Sequence, residues 1–232
     1  MSVRRDDARW PTVAAVGVLA VYNLAQNRWL DERGYVCGNL VVSGLLVELG
    51  RTSGLGWDEM GLVLGDVKGA RRIGALGLAT ALVGLSAVGS RQRWRVLLRD
   101  ERVAADSVRE AMRKVLIRFP LGTALFEEVA FRGVLSALLR RSRTPVMAEA
   151  MSAIAFGLWH MIPTLSTLDA NPPGRNQGPA KRIGIITTGC VAAGVGGLVF
   201  SSLRKKTGSL LAPWFVHSSF NCLTYLAARA AR

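Results

Sequence analysis

The sequence predicts an all-α, polytopic membrane helical bundle of about seven transmembrane helices, six to eight, with one amphipathic helix at the interface. Three observations predict it. Half of the 232 residues are hydrophobic, and they come in blocks. The runs 73–90, 183–203 and 210–228 contain no Asp, Glu, Lys or Arg, whereas a soluble amphipathic helix interleaves charge every three or four residues. Residues 120–139 form a further apolar run, long enough to cross the hydrocarbon core of a bilayer, yet Glu127, Glu128 and Arg132 lie at its middle.

Taken in order, residues 10–26 form the first span, with Trp10 and Trp29 where interfacial aromatics belong. The preceding M-S-V-R-R-D-D-A-R-W has no small-x-small cleavage site, so an uncleaved span is expected rather than a removed signal peptide. Residues 35–47 make a shorter second span. Residues 51–72 carry Gly54, Gly56, Trp57, Asp58 and Glu59 and read as a connecting loop at the interface. The third span, 73–90, is bordered by Arg71 and Arg72 before it and by Arg91, Arg93 and Arg95 after it.

From 101 to 119, Ala104, Val108, Ala111, Met112, Val115, Leu116 and Phe119 recur at helical spacing opposite Arg109, Glu110, Arg113 and Lys114. This pattern predicts the amphipathic helix on the membrane surface, with Pro120 opening the central span in a permitted position. A fifth span starts at Pro145 and runs to about 168, and a loop rich in Pro, Gly and Asn covers 169–182. The sixth and seventh spans are 183–203 and 210–228. Gly189, Ala193 and Gly197 lie four residues apart in the sixth, the small-xxx-small spacing that lets helices approach closely, which assigns that helix to packing.

The net charge of +14 suits nucleic acid at first sight, but the basic residues sit between and beside the apolar runs, where anionic lipid headgroups meet them. Membrane lipids are therefore the expected partner and nucleic acid is not. Cys37, Cys190 and Cys222 lie in apolar runs without paired spacing and read as small buried hydrophobes, not as a disulfide framework or metal cluster.

The main polar residues at membrane depth are Glu127, Glu128, Arg132, His160, His217 and Asn221. Ionisable groups there are costly unless they face one another or a wet cavity, which makes them a functional-site hypothesis. Glu128 and Arg132, Phe156 and His160, and His217 and Asn221 are each four residues apart and share a helix face. Glu127 and Glu128 are adjacent and point apart, which suggests different tasks. Hydrolysis of an amide needs a base for water, an acid for the leaving amine and donors for the oxyanion; a carboxylate, two imidazoles and a carboxamide supply them.

These residues also carry a resemblance. E-E-V-A-F-R-G from Glu127 resembles the EExxxR motif of the CAAX-protease and bacteriocin-processing (CPBP, or Abi) family of intramembrane proteases. F-G-L-W-H, ending at His160, is similar to its FxxxH motif, and H-S-S-F-N, His217 to Asn221, to its HxxxN motif. The resemblance covers roughly 118–226 and divides the single membrane domain into N-terminal helices with the interfacial helix, 1–118, and a family-like core, 119–232. It implies an endopeptidase, resembling the type II CAAX prenyl endopeptidases, in which Glu127 and His160 activate water. His217 and Asn221 would then stabilise the oxyanion, with Glu128 and Arg132 holding the geometry and Phe156 packing beside His160.

No cofactor is favoured; zinc is the alternative, on Glu127, His160 and His217, but such a site would use up the acid, base and oxyanion groups. The resemblance implies a peptide or lipidated-protein substrate, of prenylated CAAX type or bacteriocin-like, and a multi-pass location in the membrane, the plasma membrane if the protein is bacterial. The alternative function is a non-proteolytic membrane scaffold or immunity protein using the same polar cluster structurally. A transporter is disfavoured because no internal repeat is visible.

Overall fold

The computed structural model describes residues 9–91, 100–104 and 106–231. They form eight main helices, and there is no strand among them, as expected for an all-α bundle. The helices are α1 (Trp10–Trp29), α2 (Glu32–Thr52), α3 (Val67–Gly89), α4 (108–140), α5 (Pro145–Trp159), α6 (Met161–Ala170), α7 (Pro179–Thr207) and α8 (Leu211–Ala230). By length and composition, Val67–Gly89, Pro145–Ala170 and Pro179–Thr207 are apolar enough to cross a membrane. α1 and α8 run to similar length, but each carries a polar strip, Asn23, Gln26 and Asn27 in one and His217, Ser218 and Asn221 in the other.

The centre of the bundle is α4. Phe126, Val129, Phe131, Val134, Leu135 and Leu138 form the core with Leu19 of α1, Leu46 of α2, Phe156 and Trp159 of α5, and Leu210. The helix hydrogen bonding widens from i→i+4 to i→i+5 over Lys114–Ala124 and again over Glu128–Leu135, a geometry that recurs at functional sites.

Several elements depart from the sequence reading for identifiable reasons. The expected interfacial helix is not separate: after one turn, Glu101–Ala104, the chain restarts at Ser107 and runs without a break into α4. A reciprocal cap makes the restart, with the Glu110 amide donating to Ser107 Oγ (3.2 Å) and the Ser107 amide to the Glu110 carboxylate (2.7 Å). Its apolar stripe faces outward, as a helix at the lipid surface requires, and part of its charged side is partnered by protein. Val108, Met112 and Leu116 are exposed, while Arg113 and Arg118 pair with Glu32 and Lys114 pairs with Asp106. In a bilayer an apolar stripe needs no protein to cover it, whereas a charge does need a partner. Residue 105 of that expected helix, the border residues Arg93 and Arg95, and the tail 1–8 lie outside the described residues.

Pro120 therefore sits inside α4 rather than at its start. In i→i+5 bonding its missing N–H leaves the Val115 carbonyl without a donor. The Cys222 thiol of α8 points at that oxygen from 3.3 Å, and Trp214 Nε1 donates to the Pro120 carbonyl at 2.8 Å. The proline thus becomes the place where α8 is stitched to α4.

The segment after α2 is not a surface connection, because Leu55 and Met60 are fully buried. Its backbone is tied to the α7–α8 turn: the Leu210 amide donates to the Gly61 carbonyl (2.9 Å), Ser209 Oγ to the Val63 carbonyl (2.6 Å) and the Asp66 amide to the Thr207 carbonyl (3.0 Å). Asp66 then caps α3, which begins earlier than expected, at Val67. The three thiols are free, but Cys37 is exposed and the other two half-buried, so the buried reading of the cysteines fails for Cys37. In a membrane bundle a small apolar side chain is at home on the lipid face.

α7 packs on α5 through its small residues, as expected. The closest approach, however, involves Gly157 of α5: a Cβ there would stand 2.6 Å from the Cys190 carbonyl oxygen of α7, whereas one at Gly196 would meet nothing within 4 Å. Gly157→Ala is therefore expected to force α5 and α7 apart and cost about 1–3 kcal/mol, the range for overpacking. Thermal unfolding in detergent checks this: Gly157→Ala should unfold at a clearly lower temperature, and Gly196→Ala should unfold with the parent.

Candidate active site

Three helices bring the predicted residues together. Glu127 lies between the two widened stretches of α4. His160 occupies the single-residue joint between α5 and α6, and His217 and Asn221 are one turn apart on α8. All four line one cavity of about 500 Å³. Glu128 and Arg132 lie behind it and are fully buried, with side chains 0% and 1% exposed.

The two imidazoles present the same atom to the same carboxylate oxygen. His160 Nδ1 is 2.8 Å from the Phe156 carbonyl, which can only accept, so Nδ1 carries the proton and Nε2 turns to the cavity. His217 Nδ1 donates to Glu128 Oε1 at 2.8 Å, leaving its Nε2 on the cavity side as well. Glu127 Oε2 lies 3.9 Å from His160 Nε2 and 3.5 Å from His217 Nε2. It has no hydrogen-bond partner, while Oε1 is held by Trp159 Nε1 at 3.1 Å. One oxygen is anchored and the other aimed where two nitrogens converge. The Asn221 carboxamide reaches the cavity with no hydrogen bond to the described chain.

Arg132 makes a looser pair with Glu128, at 3.5 Å. Its guanidinium instead lies 3.8 Å from the centre of the Phe156 ring and 5.1 Å from that of Phe200, cation–π contacts that strengthen where water is excluded. Phe200 in turn stacks on His217, with centroids 4.8 Å apart and planes 17° from parallel. Phe156 also meets the His160 ring edge-on at 4.5 Å. The packing role expected for Phe156 is thus joined by two polar ones, a carbonyl acceptor for His160 and a face for Arg132.

Asp100 at the cavity rim and Asp106 behind it are ionised more readily than usual. Burial alone would raise both, but the Arg102 guanidinium outweighs it at Asp100, and the Lys114 ammonium, helped by the Tyr225 hydroxyl, outweighs it at Asp106. Among the described residues no group of three or more His, Cys, Asp and Glu side chains is set to hold a metal ion.

Residues 111–223 match the family model of type II CAAX prenyl endopeptidase Rce1-like proteins, a segment that holds Glu127, Glu128, Arg132, Phe156, His160, Phe200, His217 and Asn221. That segment, just under half of the chain, is similar to the Rce1-like family. Comparison with curated proteins and with solved structures returns no match. The similarity to the Rce1-like family supports CAAX-type intramembrane endopeptidase activity in general terms, with a peptide or prenylated-protein substrate in the membrane. The apolar helices agree with an integral membrane location.

The site also uses residues that sequence reasoning did not single out. Trp159 anchors the Glu127 carboxylate, and Phe200 lies on α7, the helix assigned to packing alone. From α1, Asn23 Nδ2 donates to the Trp159 carbonyl at 3.1 Å, and Gln26 lines the cavity. Three carboxamides at Asn23, Gln26 and Asn27, spaced three and four apart at the end of a span, were a usable signal. Glu149 forms a second buried cluster with Ser136 and Arg140.

Removing the Glu128 carboxylate would strand a buried guanidinium and take the acceptor from His217 Nδ1. Glu128→Ala is therefore expected to cost roughly 3–5 kcal/mol, the range for breaking a buried pair from one side. Thermal unfolding in detergent should show it as a large drop, much deeper than that of Asn221→Ala, whose side chain faces the cavity.

Proposed function

We propose that the protein hydrolyses a peptide bond with a water held between Glu127 and His160, and that the oxyanion is met by His217 and Asn221. The observation that carries this reading is the meeting of Glu127 Oε2 with the Nε2 atoms of His160 and His217 at the wall of one cavity. A water in that position loses its proton to Glu127 as its oxygen bonds to the carbonyl carbon, with His160 Nε2 accepting a hydrogen bond and orienting the attack. The carbonyl π pair moves onto oxygen. Asn221 Nδ2 donates to that oxyanion, and so does His217 from Nε2 when both its nitrogens carry protons. Collapse breaks the C–N bond, and the amine leaves with the proton that Glu127 had taken.

Support for metal-independent chemistry is that Glu127, His160 and His217 each have a role as base, orienting group or donor, with Asn221 beside them to complete the oxyanion site. Prenylated CAAX-type peptides are the substrates we favour, from the family; bacteriocin-like peptides are the alternative.

Full-length protein in detergent, assayed on an internally quenched farnesylated CAAX peptide, tests the assignment. Glu127→Gln and His160→Ala should each lower kcat by about 10²-fold or more, as expected for loss of acid–base groups. Asn221→Ala should lower it by about 10²–10³-fold, the loss of one oxyanion donor. Thermal unfolding close to the parent would show that the variants are folded. Full activity in Glu127→Gln or His160→Ala would overturn the mechanism. Chelation should leave cleavage intact; stoichiometric zinc whose removal abolishes cleavage would overturn the metal-independent reading.

A further inference from the structure

The mouth of the cavity is lined by two cations from one face of α4, Lys114 and Arg118, four residues apart. Each is braced in the same way. The Arg118 guanidinium lies 4.5 Å from the centre of the Tyr35 ring and pairs with Glu32. The Lys114 ammonium lies 5.7 Å from the centre of the Tyr225 ring and 2.8 Å from Asp106. Both tyrosines line the cavity; neither Glu32 nor Asp106 does. The carboxylates therefore hold the cations from behind, and the cavity meets the positive side of each pair. Arg118 Nε is buried and has no hydrogen-bond partner.

We propose that Lys114 and Arg118 form a binding site for the free C-terminal carboxylate of the substrate, and so set where the peptide is cut relative to its end. The proposal rests on the endopeptidase reading above. A carboxylate suits the site because a guanidinium fork and an ammonium together offer charge-assisted donors to both of its oxygens. Distance suits it as well. Arg118 precedes Glu127 by nine residues, on the order of 13 Å at helical rise and less where α4 is widened. An extended chain covers about 3.3–3.6 Å per residue, so a carboxylate at Arg118 places the scissile carbonyl about three to four residues upstream, beside Glu127. Neither cation belongs to the three motifs.

The test compares two internally quenched farnesylated CAAX peptides, one ending in a free carboxylate and one in a C-terminal amide. The full chain is reconstituted in phosphatidylcholine vesicles with or without phosphatidylglycerol. The parent should cleave the acid at least about tenfold more efficiently than the amide, mostly through KM, the scale of a hydrogen-bonded charge. In Arg118→Gln and Lys114→Gln that ratio should fall toward one, and Arg118→Lys should keep part of it. The ratio is internal to each variant, so a loss of folded protein lowers both rates and leaves it unmoved. Equal cleavage of acid and amide by the parent would overturn the proposal, as would a ratio that survives both substitutions. A dependence on phosphatidylglycerol instead of on the peptide end would assign the pair to lipid headgroups and overturn it too. Failure of the endopeptidase reading would look different: the parent would cleave neither peptide faster than Glu127→Gln does.

Discussion

A guanidinium almost wholly removed from water sits between two phenyl rings and one carboxylate, and the site is built around keeping it there. An unpaired charge at that depth would cost several kcal/mol. Arg132 meets this cost without a tight ion pair, since Glu128 stands at 3.5 Å and neither terminal nitrogen has a hydrogen-bond partner. The compensation is spread over Coulomb attraction to Glu128 and the faces of Phe156 and Phe200. Those partners come from α4, α5 and α7, and Glu128 passes the connection to α8 through His217. The three motifs are thus one electrostatic unit. Moving any of these helices would uncover the charge, which gives the bundle a reason to hold its register that apolar packing in lipid does not supply.

The same economy explains the exterior. Exposed Val108, Met112 and Leu116 would be a liability in water, and here they are the lipid face of the helix whose other side bears Arg113, Lys114 and Arg118. Charges gather where protein can partner them, around Glu32 and Asp106 at the cavity mouth and around Glu149 behind α4. The long apolar helix α3, by contrast, lies on the outside against α8 and has little of its span buried.

How much of this was legible in the sequence follows from what spacing can encode. Charge-free runs and four-residue intervals report length and which residues share a face, so the helices and the polar residues of the site could be read directly. Glu127, His160, His217 and Asn221 do meet at one cavity. Spacing does not report what lies across a helix interface, and the omissions are of that kind. Trp159 and Phe200 look like ordinary core aromatics until their partners, Glu127 Oε1 and the His217 ring, are seen. Pro120 was misplaced because the carbonyl that a proline frees inside a helix is costly when it goes unpaired, and here the Cys222 thiol of a distant helix points at that Val115 oxygen while Trp214 donates to the carbonyl of Pro120 itself. The stretch before it was legible too: Val108, Met112 and Leu116 face outward, where the apolar side of a helix at a lipid surface belongs.

The adjacent glutamates show how one local choice divides the labour. Neighbouring residues of a helix point well apart, which suggests separate partners, yet both carboxylates reach the same imidazole. Glu128 takes the Nδ1 side at 2.8 Å and Glu127 faces the Nε2 side at 3.5 Å. This works because His217 sits across the seam from them with its two nitrogens directed to opposite sides of the ring, so that diverging side chains bracket it. The bracket separates roles by depth. Glu128, sealed against Arg132, fixes which nitrogen of His217 bears the inner proton, and Glu127, with one oxygen tied to Trp159, leaves its other oxygen at the cavity wall beside His160. A single carboxylate could orient the imidazole or face the cavity. Two in succession, one turned inward and one outward, let the orientation of His217 be settled before substrate enters.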